Sequence, residues 1–189
     1  MLKKRVQDSK LEMTQLMMPN DANVAGYVQG GALLSLVDKA AYACAARHSE
    51  SYCVTASVDR VHFRSPIKVG HLVTLKASVN TVGRTSMEIG IKVLAVDPLT
   101  GKEQHTNSCY VTMVAVDGRG RPKPVPKLVP ESAEEKRRYR EAEARRTERL
   151  ASDPTVAVRT NKSEQARRRA REGERPDKSG HGCECPPRR

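Results

Sequence analysis

Between His71 and Val82, residues Val73, Leu75, Ala77 and Val79 fall on one parity and Leu72, Thr74, Lys76, Ser78 and Asn80 on the other. That period of two predicts a half-buried strand. Strands are predicted likewise over Leu11–Met18, over Tyr52–Phe63 through Val54, Ala56, Val58 and Val61, and over Thr85–Val96 and Glu103–Val116. Pro66 with Gly70, Gly83-Arg84, Asp97 to Gly101 and Asp117-Gly118 mark the turns between them. One segment breaks the pattern. After a turn-rich loop from Pro19 to the pair Gly30-Gly31, the run to His48 is made of helix-favouring, mostly small or apolar residues. Its apolar positions lie on every side, which predicts a helix enclosed by other structure.

The order is therefore strand, helix, then four strands. A parallel doubly wound sheet would need a helix between most strand pairs, and short turns make consecutive strands antiparallel neighbours. The prediction is a single α+β domain over residues 1–130, in which an antiparallel sheet of about five strands curls around one long helix. Ala40, Ala41, Ala43, Ala45 and Ala46 let sheet and helix approach closely. The helix is too short to span a bilayer and carries Asp38 and Lys39 at its centre.

After Pro130 the character changes. Ser132-Ala133-Glu134-Glu135 is a capping-box pattern, and Glu134 with Arg138 and Glu141 with Arg145 are spaced to support one another, so a charged helix is expected over 131–150. From Ala151 to Arg189, low hydrophobicity with many charges, Pro and Gly predicts disorder.

Composition narrows the function. The 189 residues carry a formal net charge of +12, with +7 through Pro130 and +5 beyond it. A basic balance suits anionic ligands, and the phosphates of a nucleotide-like molecule satisfy it as well as nucleic acid does. With one Phe and no Trp, a base-stacking surface is poorly supported. Arg167-Arg168-Arg169 reads as part of a solvated tail. No apolar stretch follows Lys3-Lys4-Arg5, so a cytoplasmic protein is expected. Cys44, Cys53 and Cys109 lie in apolar runs that suit buried, reduced thiols. Cys183 and Cys185, with His181, find no second ligand pair, and the other histidines have no zinc spacing. No metal and no cofactor is expected.

Asp38 is the residue that needs explaining. A carboxylate on an otherwise apolar helix is either a structural ion-pair partner or a group whose proton affinity is used, and partial burial would raise that affinity. In the loop before it, Asn23 serves either as a turn residue or as a polar contact, with Asp21 as a rival.

Five blocks resemble a known family. They are Pro19 to Gly31, Asp38 in the helix, Val54-Thr55-Ala56-Ser57-Val58-Asp59, Val82-Gly83-Arg84-Thr85-Ser86-Met87-Glu88, and Pro124 to Pro130. Their order resembles that of hotdog-fold acyl-CoA thioesterases, above all the cytosolic, brain-type long-chain acyl-CoA hydrolases and their single-domain bacterial relatives. The resemblance covers about Leu11 to Arg146. It implies hydrolysis of acyl-CoA to a free fatty acid and CoA, with Asp38 as general base or nucleophile and Asn23, from the partner subunit, placing the water or the carbonyl. Gly31 would present its backbone N–H to the carbonyl oxygen, where glycine permits close approach and the helix N-terminus stabilises negative charge. Thr55 would be a polar neighbour of the carboxylate. The turn Gly83, Arg84, Thr85 and Ser86 would be the main CoA contact, with Arg64 and Lys127 as further rim cations. The resemblance also implies a homodimer at minimum, and a hexamer as a trimer of dimers. Three rivals remain: a non-catalytic acyl-CoA sensor, a nucleic-acid-associated protein acting through the basic tail, and a hotdog hydratase or dehydratase, against which counts the lack of any His between Pro19 and Gly31.

Overall fold

In this computed structural model, which describes residues 2–59 and 61–152, the chain runs β1 (Lys3–Arg5), β2 (Leu11–Leu16), α1 (Gly30–Ser49), β3 (Tyr52–Val58), β4 (Leu72–Val82), β5 (Ser86–Val96), β6 (Glu103–Val116), β7 (Lys127–Val129) and α2 (Ala133–Ser152). It divides into two units, Met1–Ala144 and Arg145–Arg189. The first holds the sheets, α1 and α2 as far as Ala144. The second contributes, among the described residues, the end of α2. Of the segment predicted to be disordered from Ala151 onward, Ala151 and Ser152 are the last helical residues of α2, and the rest lies outside the described residues.

Five strands pair antiparallel throughout in the order β2-β4-β5-β6-β3 and wrap α1, as the pattern predicts for the curled sheet, but β3 is not a neighbour of β4 as consecutive strands were expected to be: it pairs with β6 at one edge, and β4 pairs with β2 at the other. The alternation in β4 is realised in packing: Val73, Leu75, Ala77 and Val79 are buried. Across the ladder Met87, Ile89, Ile91 and Val93 of β5 and Cys109, Val111, Met113 and Ala115 of β6 carry the same face. Leu33, Leu36, Val37, Ala40, Ala41, Cys44 and Ala45 of α1 pack against it. Burial pushes the Cys44 thiol up to about 12 and the Cys109 thiol to about 11, so neither is a nucleophile near neutral pH.

Two further expectations need correction, and a third feature was not expected. The helix is not enclosed by its own chain. Gly31, Leu34, Ser35, Asp38, Lys39 and Tyr42 form an exposed stripe along it, because the single sheet covers only the opposite side. Secondly, β3 ends at Val58 rather than Phe63, and β2 at Leu16 rather than Met18. In β3 the apolar parity is the outer one: Cys53 is buried whereas Val54 and Val58 are 50% and 47% exposed, and a bulge between Thr55 and Ser57 interrupts the edge. Thirdly, β1 and β7 form a separate parallel pair, Lys3 opposite Lys127, that has no hydrophobic period to announce it.

The polar face of β4 is less wet than its residue types suggest. Asn80 and Thr81 are buried, Asn80 Nδ2 donates to Glu88 Oε1 at 3.2 Å, and the Thr81 hydroxyl bonds Glu143 of α2. Ala142 is buried and Tyr139 packs on the core. The predicted capping box forms, with Glu135 N–H donating to Ser132 Oγ at 3.1 Å and Ser132 N–H to Glu135 Oε2 at 3.1 Å. Glu134 pairs with Arg138 as spaced, while Glu141 is engaged by Arg137 at 2.7 Å.

Gly90 has a steric reason to be glycine. The Asn80 amide occupies the place a Cβ there would take, and Asn80 is held by Glu88. Gly90→Ala is therefore expected to destabilise the domain by about 1–3 kcal/mol. A urea titration checks this through a lower midpoint at unchanged slope.

Candidate active site

The loop from Pro19 to Gln29 is fastened at both ends. Asp21 Oδ2 accepts the Met18 N–H at 2.8 Å, the Asp21 carbonyl accepts the Gln29 N–H at 2.8 Å, and Gln29 Nε2 donates to the Ala22 carbonyl at 3.0 Å. Asp21 is thereby committed to shaping the loop. Asn23 is half committed. Its Oδ1 accepts the N–H groups of Ala25 at 2.9 Å and Tyr27 at 3.2 Å, while the turn closes through Gly26, whose φ of +77° suits glycine. Nδ2 remains as a donor on an exposed loop.

Gln29 occupies the N-cap of α1 without capping it through its side chain. The first intrahelical bond, Leu33 N–H to the Gln29 carbonyl at 3.2 Å, leaves the N–H groups of Gly30, Gly31 and Ala32 ahead of it. Such an end offers donors and the positive pole of the helix to an oxygen bearing negative charge. Gly31 has open space beside it, whereas the Phe63 ring lies 3.4 Å from where a Cβ on Gly30 would stand. Beside Gly30 and Phe63 opens a cleft of about 270 Å³, walled by Gly30, Leu33, Phe63, Arg64, Ser65 and Ile67 among others.

Asp38 sits two turns further along α1, on the exposed stripe. Thr55 Oγ1 of β3 donates to its Oδ1 at 2.5 Å and also contacts Met113 Sδ at 3.4 Å, so the carboxylate is held from the sheet. The partial burial expected of Asp38 is not supplied by its own chain. Seven residues of helix also set it about 10 Å along the axis from Gly31.

The model of the thioesterase superfamily matches residues 25–102. Protein VdlD of Helicobacter pylori is 51% identical over 131 residues, which cover 69% of this chain and 75% of that protein. The chain belongs to the thioesterase superfamily. Within it, this thioesterase is 36% identical over 140 residues to the cytosolic acyl coenzyme A thioester hydrolase of Mus musculus, covering 72% of this chain and 36% of that longer protein. Among solved structures it superposes on an apo-hexameric acyl-CoA thioesterase with a TM-score of 0.77, at 40% identity, over 80% of this chain and 97% of that one. The acyl-CoA hydrolase of Staphylococcus aureus, solved with butyryl coenzyme A and coenzyme A, gives a TM-score of 0.74 at 32% identity, over 89% and 99% of the two chains. That hydrolase has also been solved with an Asp, an Asn or a Thr replaced singly by Ala.

The thioesterase fold brings some of the sequence-predicted residues together and leaves others apart. Asp38 meets Thr55, and Arg64 lines the same cleft as Gly30. The turn Gly83 to Ser86 meets the Pro124 segment, since Val125 N–H donates to the Arg84 carbonyl at 3.0 Å, which places Lys127 two residues beyond that contact. Within the turn Gly83 N–H is spent on the Ser86 carbonyl at 2.7 Å, so the Arg84 guanidinium and the Thr85 and Ser86 hydroxyls are the groups left to meet an anion. No hydrogen bond joins Asn23 to Asp38 among the described residues. Phe63, read from the sequence as the end of a strand, is a cleft wall instead. Its only sequence signal is that the chain has no other Phe. His48, near the C-terminal end of α1, is buried, with Nε2 donating to the Pro126 carbonyl at 3.0 Å, and burial holds its pKa below the ordinary value. It ties α1 to the segment that abuts the Arg84 turn. Among the described residues no group of three or more His, Cys, Asp and Glu is placed to hold a metal ion, and no helix is long and apolar enough to cross a membrane.

Proposed function

We propose that this thioesterase hydrolyses fatty acyl-CoA to a free fatty acid and CoA, with Asp38 as the group that activates water or attacks the acyl carbon. The observation that carries the reading is Asp38 held by Thr55 on the exposed stripe of α1. A second line supports it. In the Staphylococcus aureus hydrolase the three substituted positions are 15 residues apart from Asn to Asp and 17 from Asp to Thr, the spacing of Asn23, Asp38 and Thr55 here. Thr55 keeps one carboxylate oxygen bonded and the other directed to water, and the N–H of Gly31 stabilises the oxyanion that forms as the thioester carbonyl becomes tetrahedral. Collapse of that intermediate expels CoA as thiolate, a good leaving group.

One chain cannot assemble this. Gly31 and Asp38 are two helical turns apart, so one acyl carbon takes its oxyanion donor from one subunit and its base from another. Two α1 helices packed antiparallel through the exposed stripe, with their two-fold near Leu34 and Ser35, set Gly31 and Asn23 of one subunit beside Asp38 of the partner subunit. The same packing covers Leu34 and Tyr42, 36% and 39% exposed in the single chain. A homodimer is the minimum, and a trimer of dimers is the proposed final state, in line with two structural neighbours described as hexameric.

CoA is assigned to the turn of Gly83, Arg84, Thr85 and Ser86, with Arg64 and Lys127 as rim cations for its phosphates. Arg84→Ala is expected to raise KM for acyl-CoA about three- to tenfold at low salt with kcat nearly kept, because an exposed charge is partly screened. Steady-state kinetics at two ionic strengths check this through a KM gap that narrows as salt rises. The function itself is tested with purified full-length protein, a panel of acyl-CoAs and a thiol-trapping dye. CoA release is the expected result. Saturable binding without release would make the protein an acyl-CoA sensor.

A further inference from the structure

The parallel pair of β1 and β7 sets two lysines side by side. Lys3 stands opposite Lys127 in its register, and both are exposed. The next pair turns the other way: Leu128 is buried, and the half-buried Lys4 is spent on Glu50 at 2.7 Å and on the Arg47 carbonyl at 2.8 Å. Lys3 and Lys127 therefore share the outer face. Neither meets a carboxylate among the described residues. Like charges at facing positions of paired strands repel, so the arrangement is unfavourable until an anion joins them. The segment that carries Lys127 is also fixed from three sides. Val125 N–H donates to the Arg84 carbonyl at 3.0 Å, Lys127 N–H to the Leu2 carbonyl at 2.9 Å, and the Pro126 carbonyl between them accepts from His48 Nε2 at 3.0 Å. His48 is fully buried, and its Nδ1 has no partner among the described residues, so a costly buried imidazole makes the one bond that holds the backbone just before Lys127. Two residues of extended chain, about 7 Å, separate that lysine from the contact with the Arg84 turn.

We propose that Lys3 and Lys127 form a subsite for a phosphate monoester, and that its ligand is the 3′-phosphate on the ribose of CoA. This rests on the thioesterase reading and on the CoA contact assigned above to the Arg84 turn. CoA carries its charge in two places, a diphosphate and, one ribose away, a phosphate monoester that is close to doubly ionised at neutral pH. Arg84 with the Thr85 and Ser86 hydroxyls answers the first. The lysine pair, a short step further along the chain, answers the second. Two ammonium groups, each a compact charge with three donors, suit a monoester with three free oxygens. Lys3 thereby becomes a specificity-determining residue, favouring thioesters of CoA over those of 3′-dephospho-CoA. Sequence alone gives no hint of this, since only the pairing of β1 with β7 brings Lys3 beside Lys127.

The test measures KM of the full-length protein for octanoyl-CoA and for octanoyl-3′-dephospho-CoA, and reads the ratio of the second to the first. At low salt, where exposed charges are least screened, the ratio is expected to be about ten in wild type, about three in Lys3→Gln and about one in Lys3→Gln/Lys127→Gln. Both lysines are exposed, so these substitutions leave the core alone. Lys102→Gln, in the turn between β5 and β6 at the opposite end of the sheet from Arg84, controls for net charge and is expected to keep the wild-type ratio. A ratio in Lys3→Gln equal to that of wild type overturns the subsite, and so does an equal fall in Lys102→Gln. Wild type that hydrolyses both esters with the same KM brings down this assignment alone. Wild type that hydrolyses neither brings down the thioesterase reading and this assignment with it.

Discussion

Asp38→Asn is expected to lower kcat for acyl-CoA hydrolysis by about a hundredfold or more while leaving the fold intact. The substitution keeps the shape of the side chain and an oxygen to accept the Thr55 hydroxyl, so the contact between α1 and β3 survives. What it removes is the negative charge and the lone pair that take a proton from water or attack the acyl carbon. Asp38 is exposed in the single chain, and its neighbours Lys39 and Ser35 along the stripe are exposed too, so no core packing depends on it. The melting temperature should therefore shift by no more than a surface substitution does. Kinetics with the thiol-trapping dye and a thermal melt of the same preparation check both halves. A variant that kept more than a tenth of the wild-type kcat would take Asp38 out of the reaction.

How far the sequence anticipated this site differs from element to element. The alternation of β4 and the small, apolar run of α1 were legible because burial selects residue types at fixed periods, and Val73 to Val79 are buried as that period requires. Pattern misled where apolar residues are not covered by their own chain. Apolar residues all round α1 indicate a helix covered on all sides, yet Leu34 and Tyr42 are bare in the single chain, as the proposed association through this stripe requires. In β3, Val54 and Val58 are likewise apolar and exposed on an edge strand. The pair of Lys3–Arg5 and Lys127–Val129 was illegible for another reason: three-residue charged strands held by backbone bonds leave no periodic trace. As to the site, Asp38 stood out as a lone carboxylate, but nothing in composition or spacing ties it to Thr55. Only a resemblance to a family paired them, and a fold that sets β3 beside α1 gives the pairing its geometry. Phe63 was beyond reach, since its meaning depends on where the segment before Pro66 meets the start of α1.

Mixed dimers of Asn23→Ala and Asp38→Ala subunits are expected to recover about a quarter of wild-type activity from two proteins that are separately almost inactive. Each proposed site takes Asn23 and Gly31 from one subunit and Asp38 from the other. In a homodimer of either variant both sites lack one group. In a mixed dimer the two defects fall together in one site, and the other site is wild type. Random exchange makes half of the dimers mixed, and each regains one site of two. The expectation comes from the geometry of α1: about 10 Å of helix separates Gly31 from Asp38 on one chain, and the Asn23 side chain is occupied through Oδ1 in shaping its own loop, leaving Nδ2 to reach outward. The variants are refolded together, exchange is confirmed by native mass spectrometry of differently tagged subunits, and CoA release is measured per site. Recovery near a quarter supports a site shared across the seam. Confirmed exchange without recovery would put both residues in the service of one subunit's site. That outcome would require the Asn23 loop to fold over its own helix as far as Asp38, a closure that the fastening of the loop through Asp21 and Gln29 opposes.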